Sequence, residues 1–356
     1  MVQNKRLDFT GQSIFVGIDV HNKSWSVSIH TEQFEHKTFN QPPEPDKLVT
    51  YLKRNFPGAD YHVAYEAGYN GFWVHDHLES LGIDCHVIHP ADIPITDKDK
   101  RHKSDPRDSR RIAKSLKNGE LNSVYIPSIT AREDRALMRQ RLRLIKDKTR
   151  TKNRIKSLLR FHGVKTPDCY QGRCWSKAFL DWASDPDRMH SSTGTDSLLN
   201  LIDQYRFFNQ QELAIDSKIR ELAKNDRYRQ QVKHLITIPG IGIISAMTWL
   251  TELVDINRFQ SIDQLACYIG LIPREKSSGE KQNVFGIDTR GNRILKTLLI
   301  ENSWAALRND PGLISTYQNL TNRMNGNRAI IRIARKLLRR IRFVLLNETN
   351  YEVGIA

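Results

Sequence analysis

SIFVGIDV (13–20) and WSVSIH (25–30) are two apolar, β-branched runs separated by the polar stretch HNKS (21–24). Runs of this kind with a short turn-forming connection predict two neighbouring β-strands. A third extended run, FEHKTF (34–39), follows after a few polar residues. The beginning of the chain is therefore predicted to form a three-stranded meander.

Helical and extended patterns then alternate along the chain. PDKLVTYLKRNF (45–56) and GFWVHDHLESLG (71–82) have the apolar spacing of helices, whereas YHVAYEAG (61–68) and DCHVIH (84–89) have the pattern of strands. A further helix is predicted at KSDPRDSRRIA (103–113). The order strand-strand-strand-helix-strand-helix-strand-helix is that of a ribonuclease H-like domain, which is an α/β fold with a mixed sheet.

Four acidic residues lie where this topology can bring them together. Asp19 comes near the end of the first strand, and Glu66 comes at the end of a later one. Acids on two strands can converge at the same edge of one sheet. Asp105 and Asp108 flank Pro106, which favours the first turn of a helix, and their spacing puts both carboxylates on one helical face. For each acid alone, a surface charge or a helix cap is the alternative.

Four carboxylates from two strands and a helix suit Mg²⁺, a hard ion that is bound by few carboxylates and by phosphate oxygens. Mn²⁺ is the alternative ion. Paired ions of this kind stabilise the attacking and leaving oxygens in phosphodiester chemistry. The sequence therefore predicts a metal site of four acids that acts on nucleic acid.

The charge of the chain supports a polyanionic partner. The 356 residues include 55 Lys and Arg against 40 Asp and Glu, a net charge of +15. Basic residues cluster in 98–111 and 139–160. A third cluster recurs every three or four residues along a helical face and comprises Arg328, Arg332, Arg335, Lys336, Arg339, Arg340 and Arg342. These clusters favour binding to nucleic acid over a merely solvated surface or an acidic protein partner.

Several classes of protein are excluded or disfavoured. No apolar run approaches the ~18 residues of a membrane-spanning helix, and the N-terminus lacks the apolar core of a signal peptide. We therefore expect no membrane partner. The four cysteines cannot form a disulfide framework. Cys169 and Cys174 could form half of a zinc site, with incidental thiols as the alternative.

The rest of the chain is predicted to be mainly helical. Charged helical stretches dominate residues 129–230, which predicts long antiparallel helices. LITIPGIGIISA (235–246) predicts a helical hairpin whose second helix can bind a phosphate with its N-terminal amides; packing alone is the alternative. GLIPREKSSGEKQ (270–282) predicts a polar loop that contains Ser277 and Ser278.

The combination of these motifs resembles a known family. The match runs from about residue 13 to about residue 308 and is with the DEDD transposases of the IS110 insertion-sequence family, which are bridge-RNA-guided recombinases. The motifs, in order, are VGIDVHNKSW, YEAGYNG, KSDPRDSRRIA, LITIPGIGIISA, FQSIDQLACYIGLIPREKSSGEK and TRGNRILKTLLI.

The resemblance implies an organisation in three parts. These are a RuvC-like catalytic domain (1–127), a helical coiled-coil insert (128–230), and a mostly α transposase domain with a helix-hairpin-helix-like element (231–356). It also implies a catalytic and metal-binding tetrad and a serine nucleophile, with Ser277 as the fallback nucleophile. The residues that match these roles are Asp19, Glu66, Asp105, Asp108 and Ser278.

The resemblance further implies a function. Strands of target and donor DNA would be cut and exchanged through a phosphoserine intermediate, guided by a structured non-coding bridge RNA that pairs with both DNAs. The protein would be a homo-oligomer, a dimer that assembles into a tetramer. It would be cytoplasmic and associated with the nucleoid of a bacterium or archaeon.

Two other functions remain open at this point. A RuvC-like junction nuclease would use the same acids with water as the nucleophile and would not need Ser278. A non-catalytic nucleic-acid-binding protein would tolerate the loss of any acid. Residues 235–299 favour the recombinase, because a simple nuclease does not need them.

Overall fold

The structure is a computed structural model that separates into two compact units, Met1–Ile126 and Pro127–Ala356. The predicted division of the chain at 127/128 and 230/231 stays a prediction. The residues that the structure describes are 8–94, 105–170, 175–278, 281–287 and 290–353, with the backbone alone at 274–278, 281–285 and 287.

The first unit is built on a five-stranded mixed sheet. Its strands in chain order are β1 (Ser13–Val20), β2 (Trp25–Thr31), β3 (Glu35–Gln41), β4 (Asp60–Glu66) and β5 (Asp84–Ile88). Across the sheet the order is β3-β2-β1-β4-β5, in which β1 pairs antiparallel with β2 and parallel with β4. The meander and the two later parallel strands are those predicted, so the ribonuclease H-like fold is confirmed.

Helices cover both faces of this sheet. Helices α1 (Pro45–Asn55) and α2 (Trp73–Ser80) share one core with the alternate residues Ile14, Val16 and Ile18 of β1. The residues between these on β1 face the other side, where α3 (Asp105–Lys117) packs. The period-2 alternation of β1 thus assigns Asp19 to the α3 side of the sheet.

Helix α3 packs closely against β1 because Gly17 has no side chain there. The backbone of α3 at Ser109 and Ala113 occupies the space that a β-carbon on Gly17 would need. On the neighbouring strand, Ser26 Oγ is 3.2 Å from Ser109 Oγ. This packing fixes where the first turn of α3, with its two aspartates, meets the end of β1.

The second unit is mainly helical, as predicted. Its helices are α4 (Ile129–Phe161), α5 (Lys177–Ala183), α6 (Ser192–Leu222), α7 (Asp226–Leu235), α8 (Ile243–Leu253), α9 (Ile262–Ile269), α10 (Arg293–Ala306), α11 (Pro311–Thr321) and α12 (Gly326–Asn347).

The two longest helices, α4 and α6, pack against each other along their length. Arg141 of α4 is 2.5 Å from Asp216 of α6, and Lys148 donates to Asn209 at 3.3 Å. Lys148 comes after Arg141 on α4, whereas its partner Asn209 comes before Asp216 on α6. The two helices are therefore antiparallel. This confirms the antiparallel pair expected for this segment.

The predicted helical hairpin at 235–246 is formed by α7 and α8. Gly240 in the connection has a φ of 86°, and a β-carbon there would lie 2.7 Å from the backbone oxygen of Asn302. Only glycine fits this position without strain. Gly242 and Ile243, at the N-terminal end of α8, are exposed.

The predicted loop at 270–282 is instead a β-hairpin. Strands β6 (Pro273–Ser278) and β7 (Lys281–Ile287) pair antiparallel, with Ser278 opposite Lys281. The sequence between them is Gly-Glu, and a two-residue connection that contains glycine favours a hairpin. The prediction of a loop rested on the serines and glycines of this segment, and it is wrong because these residue types are common in hairpin turns as well as in loops.

The basic face of α12 is only partly free. Arg328, Arg332 and Arg339 are exposed and have no ion-pair partner among the described residues. In contrast, Arg340 is 2.8 Å from the buried Asp310, and Arg335 pairs with Asp263. The opposite face of α12 is buried at Ala334, Leu338 and Ile341, while Ile331 is partly buried.

The predictions on membranes and cysteines have different outcomes. Among the helices of the described ranges, none has the length and apolar character needed to cross a membrane. Cys85 is buried, and burial raises the pKa of its thiol. Cys169 is exposed, but Cys174 lies outside the described residues, so the zinc half-site of these two cysteines stays a prediction.

Candidate active site

Asp19 and Glu66 lie at the carboxyl ends of two adjacent parallel strands. The register pairs Ile18 of β1 with Tyr65 of β4, and each acid is the next residue along its strand. Because side chains alternate along a strand, both acids face the side of the sheet that α3 covers. The structure thus brings these two predicted site residues to the same edge of the sheet.

His21, which was not among the predicted site residues, lies between Asp19 and Asp105. His21 Nε2 is 3.3 Å from Asp19 Oδ2 and 3.8 Å from Asp105 Oδ2. The potential ligand atoms of these three residues all lie within 4.8 Å of one another. The end of β1 and the start of α3 therefore form one cluster of two carboxylates and an imidazole.

Glu66 and Asp108 are linked by a second residue that was not predicted. Arg111 Nη2 is 2.9 Å from Asp108 Oδ1 and 3.8 Å from Glu66 Oε1. The Arg111 and Asp108 side chains are 18% and 13% exposed. The guanidinium thus compensates the charge of the largely buried Asp108 and lies near the more exposed Glu66, whose side chain is 38% exposed.

The electrostatics of the site disfavour the ionised form of Asp19. Partial burial raises the pKa of Asp19, and the nearby carboxylates of Asp105 and Asp108 raise it further. His21 opposes both effects without cancelling them. A divalent cation at this cluster would relieve the same repulsion.

The loop after β4 is tied to the end of β1. Asn70 Nδ2 donates to the backbone oxygen of Val20 at 2.9 Å, and Tyr65 Oη donates to the backbone oxygen of Gly71 at 3.1 Å. Both bonds come from the YEAGYNG segment that contains Glu66. They hold the two strand ends, and with them the two acids, in a fixed relationship.

Two local signals could have identified the missed residues. His21 is two residues beyond Asp19, in the connection that follows β1. Arg111 is three residues beyond Asp108, which puts both on one face of α3. Neither spacing is specific, because short connections and basic helices are common.

The serines belong to the other compact unit. Ser277 and Ser278 are the last two residues of β6, and their backbones are opposite Gln282 and Lys281. The nucleophile assignment for Ser278, with Ser277 as its fallback, stays a prediction.

The donor set at the sheet edge fits a divalent cation. Carboxylate oxygens are the ligands that hard ions such as Mg²⁺ prefer, and about one or two of them, together with substrate phosphates, bind the ion in phosphoryl-transfer sites. Asp19 and Asp105 already converge within ligand distance of each other and of His21. Asp19 and Asp105 therefore have both the chemistry and the proximity that such an ion requires, whereas Glu66 and Asp108 are not part of this group of ligand atoms.

Comparison with known proteins agrees with this chemistry. A family model for IS110-type DEDD transposases matches residues 16–163, and a second model, described as transposase IS116/IS110/IS902 family, matches residues 232–318. The first match contains all four acids, and the second contains both serines, the end of α7 and all of α8.

Individual transposases are similar over most of the chain. The transposase for insertion sequence element IS1111A of Coxiella burnetii is 29% identical over 279 residues, which cover 77% of this chain and 74% of that protein. A "probable family 20 transposase" of Pseudomonas aeruginosa is 27% identical over 346 residues, which cover 95% and 98%. The transposase for insertion sequence element IS1533 of Leptospira borgpetersenii is 25% identical over 258 residues, covering 70% and 72%.

The sheet topology, the acids at its edge and the two family matches agree. Membership of this family implies the use of a divalent metal ion and action on DNA. The chain belongs to the IS110 family of DEDD transposases and is the transposase of an insertion sequence.

Proposed function

We propose that this transposase cuts and exchanges DNA strands with Asp19, Glu66, Asp105 and Asp108 as its metal-binding acids and Ser278 as its nucleophile. The observation that supports this proposal most strongly is the convergence of Asp19 and Asp105 on His21. The adjoining Glu66–Arg111–Asp108 cluster supports it further, since it concentrates the other two acids beside the same helix.

The proposed ion is Mg²⁺, with Mn²⁺ as a substitute. When bound, it would supply charge that stabilises the oxygens of a DNA phosphate during the transfer. Asp19, Glu66, Asp105 and Asp108 would hold it. In the free protein, His21 would orient Asp19 by its hydrogen bond, and Arg111 would neutralise the charge of Asp108 and Glu66.

The proposed serine step conserves the energy of the phosphodiester bond. The Ser278 oxygen forms a bond to the DNA phosphorus, and the bond from phosphorus to the 3′-oxygen breaks. The serine proton leaves to a base, and the released 3′-oxygen takes up a proton. A 3′-hydroxyl of the exchanged strand reverses the same step and frees the serine.

We propose that a structured non-coding RNA guides the enzyme by pairing with target and donor DNA. In this arrangement, base pairing provides sequence choice and the protein provides backbone contacts. The exposed Arg328, Arg332 and Arg339 on α12 support such contacts. The exposed N-terminal turn of α8 supports a further phosphate contact through its free amides.

We further propose that the enzyme works as a dimer that assembles into a tetramer. Two duplexes must be held together, and each strand exchange needs its own active site. The long antiparallel pair α4 and α6 would join protomers. In this scheme residues 1–127 carry the acids, 128–230 the assembly contacts, and 231–356 the serine.

The experiment that tests the acids is strand cleavage by amide variants. Asp19→Asn, Glu66→Gln, Asp105→Asn and Asp108→Asn remove the negative charge with little change in shape. Each is expected to reduce Mg²⁺-dependent cleavage at least 100-fold while RNA and DNA affinity stays within a few fold. Asp46→Asn is the matched control, because Asp46 is an exposed acid of the same unit that bonds to His77.

The outcome also separates the alternative functions. Retention of cleavage in two or more of the four variants would contradict the tetrad. Cleavage that needs the acids but survives Ser278→Ala would favour a junction nuclease that uses water. A wild-type protein that binds nucleic acid but never cleaves it under any of these conditions would favour a binding protein.

A further inference from the structure

A second cluster of metal-ligating side chains lies at the other end of the same sheet. His62 is near the start of β4 and is opposite Asp84 of β5, and His86 is two residues further along β5. Glu66 is four residues beyond His62, or about 13 Å along the strand at the usual rise per residue. The cluster is therefore separate from the acids at the carboxyl ends of the strands.

The three side chains already point at one another. His62 Nδ1 is 2.7 Å from Asp84 Oδ2, and His86 Nε2 is 3.0 Å from the same oxygen. All three potential ligand atoms lie within 4.8 Å of one another. Asp84 and His86 share one face of β5 because they are two residues apart, and the strand register brings His62 beside them.

Neighbouring residues hold both imidazole rings. The His62 ring stacks on Phe15 of β1, with 5.5 Å between ring centroids and 21° between ring planes. His86 Nδ1 is 2.7 Å from Ser123 Oγ. Ser123 is itself fixed to the edge of the sheet, since it forms a β-bridge with Ile88.

These contacts resemble the hydrogen bonds and packing that orient the histidine ligands of protein metal sites. When Ser123 Oγ accepts the Nδ1 proton of His86, Nε2 carries a free lone pair and points at Asp84. Zinc–nitrogen and zinc–oxygen bonds of about 2.0–2.2 Å bring neighbouring ligand atoms to roughly 3–3.5 Å, close to the separations found here. The side chains are one third to one half exposed, so an ion and water can reach them.

We propose that His62, Asp84 and His86 form a binding site for a divalent transition-metal ion such as Zn²⁺. Two imidazoles and one carboxylate favour this class over Mg²⁺, which prefers oxygen ligands. The site links β4 to β5 and, through Ser123, to the segment that follows α3. Its occupation stabilises the first unit and plays no part in strand cleavage.

The test is a calorimetric titration of the full-length protein with Zn²⁺ in millimolar Mg²⁺, which occupies the acidic cluster. The wild type is expected to bind one equivalent of Zn²⁺ at this site and to melt at a higher temperature with Zn²⁺ than with EDTA. His62→Ala and His86→Ala are each expected to weaken this binding at least tenfold and to abolish the rise in melting temperature. Mg²⁺-dependent cleavage is expected to stay unchanged.

Controls separate this site from other histidines. His77→Ala removes an exposed imidazole of the same unit that bonds to Asp46, and it should leave Zn²⁺ binding unchanged. His21→Ala reports any Zn²⁺ at the acidic cluster and should leave the equivalent at His62 and His86 in place. Asp84→Asn removes a ligand charge with little change in shape, and it should weaken binding even if an alanine variant fails to fold.

The proposal fails if Zn²⁺ binds the wild type, His62→Ala and His86→Ala with equal affinity and stoichiometry. It also fails if the wild type binds no Zn²⁺ in the presence of Mg²⁺. In either case the three residues form only a hydrogen-bonded cluster on the surface of the sheet.

Discussion

Gly17 of β1 and Ser109 of α3 are packed so closely that a β-carbon on Gly17 would lie 2.1 Å from the Ser109 carbonyl oxygen. No side chain can be accommodated at this distance unless the helix moves. The contact brings α3 onto the sheet two residues before Asp19, and so sets the distance from Asp19 to Asp105.

Gly17→Ala is therefore expected to damage both stability and activity. The added methyl group must push α3 away from β1, at a cost of about 1–3 kcal/mol or more. Denaturant unfolding measures the loss, and strand cleavage should fall with it. Gly68→Ala is the matched control, because the nearest atom to its added β-carbon is 3.9 Å away. Equal stability of the two variants would show that α3 adapts without cost.

Removing Arg111 should destabilise the metal-free protein more than the metal-bound one. Arg111→Gln leaves Glu66 and Asp108 without their shared cation, at a cost of about 1–3 kcal/mol. Added Mg²⁺ should recover part of this loss by supplying positive charge to the same acids. Unfolding in EDTA and in Mg²⁺ provides the comparison. Arg110→Gln is the control, since Arg110 pairs with Glu35 on the other side of the helix. If Mg²⁺ does not reduce the loss of stability in Arg111→Gln, the metal ion and Arg111 do not neutralise the same acids.

The raised pKa of Asp19 predicts how cation binding depends on pH. Because burial and the neighbouring acids raise this pKa, protons compete with the cation at a higher pH than at an ordinary aspartate. As the pH is lowered, Mn²⁺ affinity should therefore begin to fall at a higher pH than it would for an aspartate with the usual pKa of about 3.9.

The raised pKa of Asp19 also makes the stability of the metal-free protein depend on pH. A raised pKa means that folding favours protonated Asp19, so this contribution is present at low pH and is lost as the pH rises through the folded pKa. Asp19→Asn should remove both effects. Calorimetric titration with Mn²⁺ at a series of pH values measures the first. An affinity that is flat down to the ordinary aspartate range would contradict the effect of burial.

Charge on α12 should appear in the salt dependence of nucleic-acid binding. Arg328→Gln, Arg332→Gln and Arg339→Gln are each expected to lower the slope of log K against log salt by about one. Arg340→Gln is the contrasting variant, because its guanidinium is 2.8 Å from the buried Asp310. It should reduce stability and leave the slope unchanged. If the slope of log K against log salt in Arg328→Gln, Arg332→Gln and Arg339→Gln equals the wild-type slope, α12 does not contact phosphates.

Much of the first unit could be predicted from local patterns. The β-branched run around Asp19 and the extended pattern YHVAYE that ends at Glu66 identified their strands, and Pro106 marked the start of α3. The succession of strands and helices along the chain indicated the ribonuclease H-like fold. These features are encoded by residues that are neighbours in the chain, which is why the convergence of the acids could be foreseen.

Long-range partners could not be predicted in this way. The basic stretch 139–160 was interpreted as a phosphate-binding surface, yet Arg139 bonds to both carboxylate oxygens of Glu252 at 2.7 and 2.9 Å. Glu252 is 1% exposed; burial raises its pKa, but its contacts with Arg139, Asn292 and Arg135 together outweigh this and keep the pKa below its ordinary value. Arg141 is likewise committed to Asp216. Nothing in the local sequence reveals that these charges neutralise buried acids more than 70 residues away.

The bridging roles of His21 and Arg111 were missed for the same reason. A histidine in a short connection and an arginine on a basic helix are both common, and their contacts depend on how α3 packs on β1. That packing depends in turn on Gly17, whose role is visible only when the helix is in position.

The central claim, that DNA strands are exchanged through Ser278 with the help of the four acids, is tested most directly by trapping the protein on a nicked DNA substrate. Protease digestion and mass spectrometry should then yield a DNA-linked peptide within residues 270–282, with the link at Ser278. Ser278→Ala and Asp19→Asn should each abolish the link, whereas Asp46→Asn should retain it. A link at Ser277 would move the nucleophile by one residue. Cleavage without any protein–DNA link, at the same rate in the wild type, in Ser278→Ala and in Ser277→Ala, would contradict the claim.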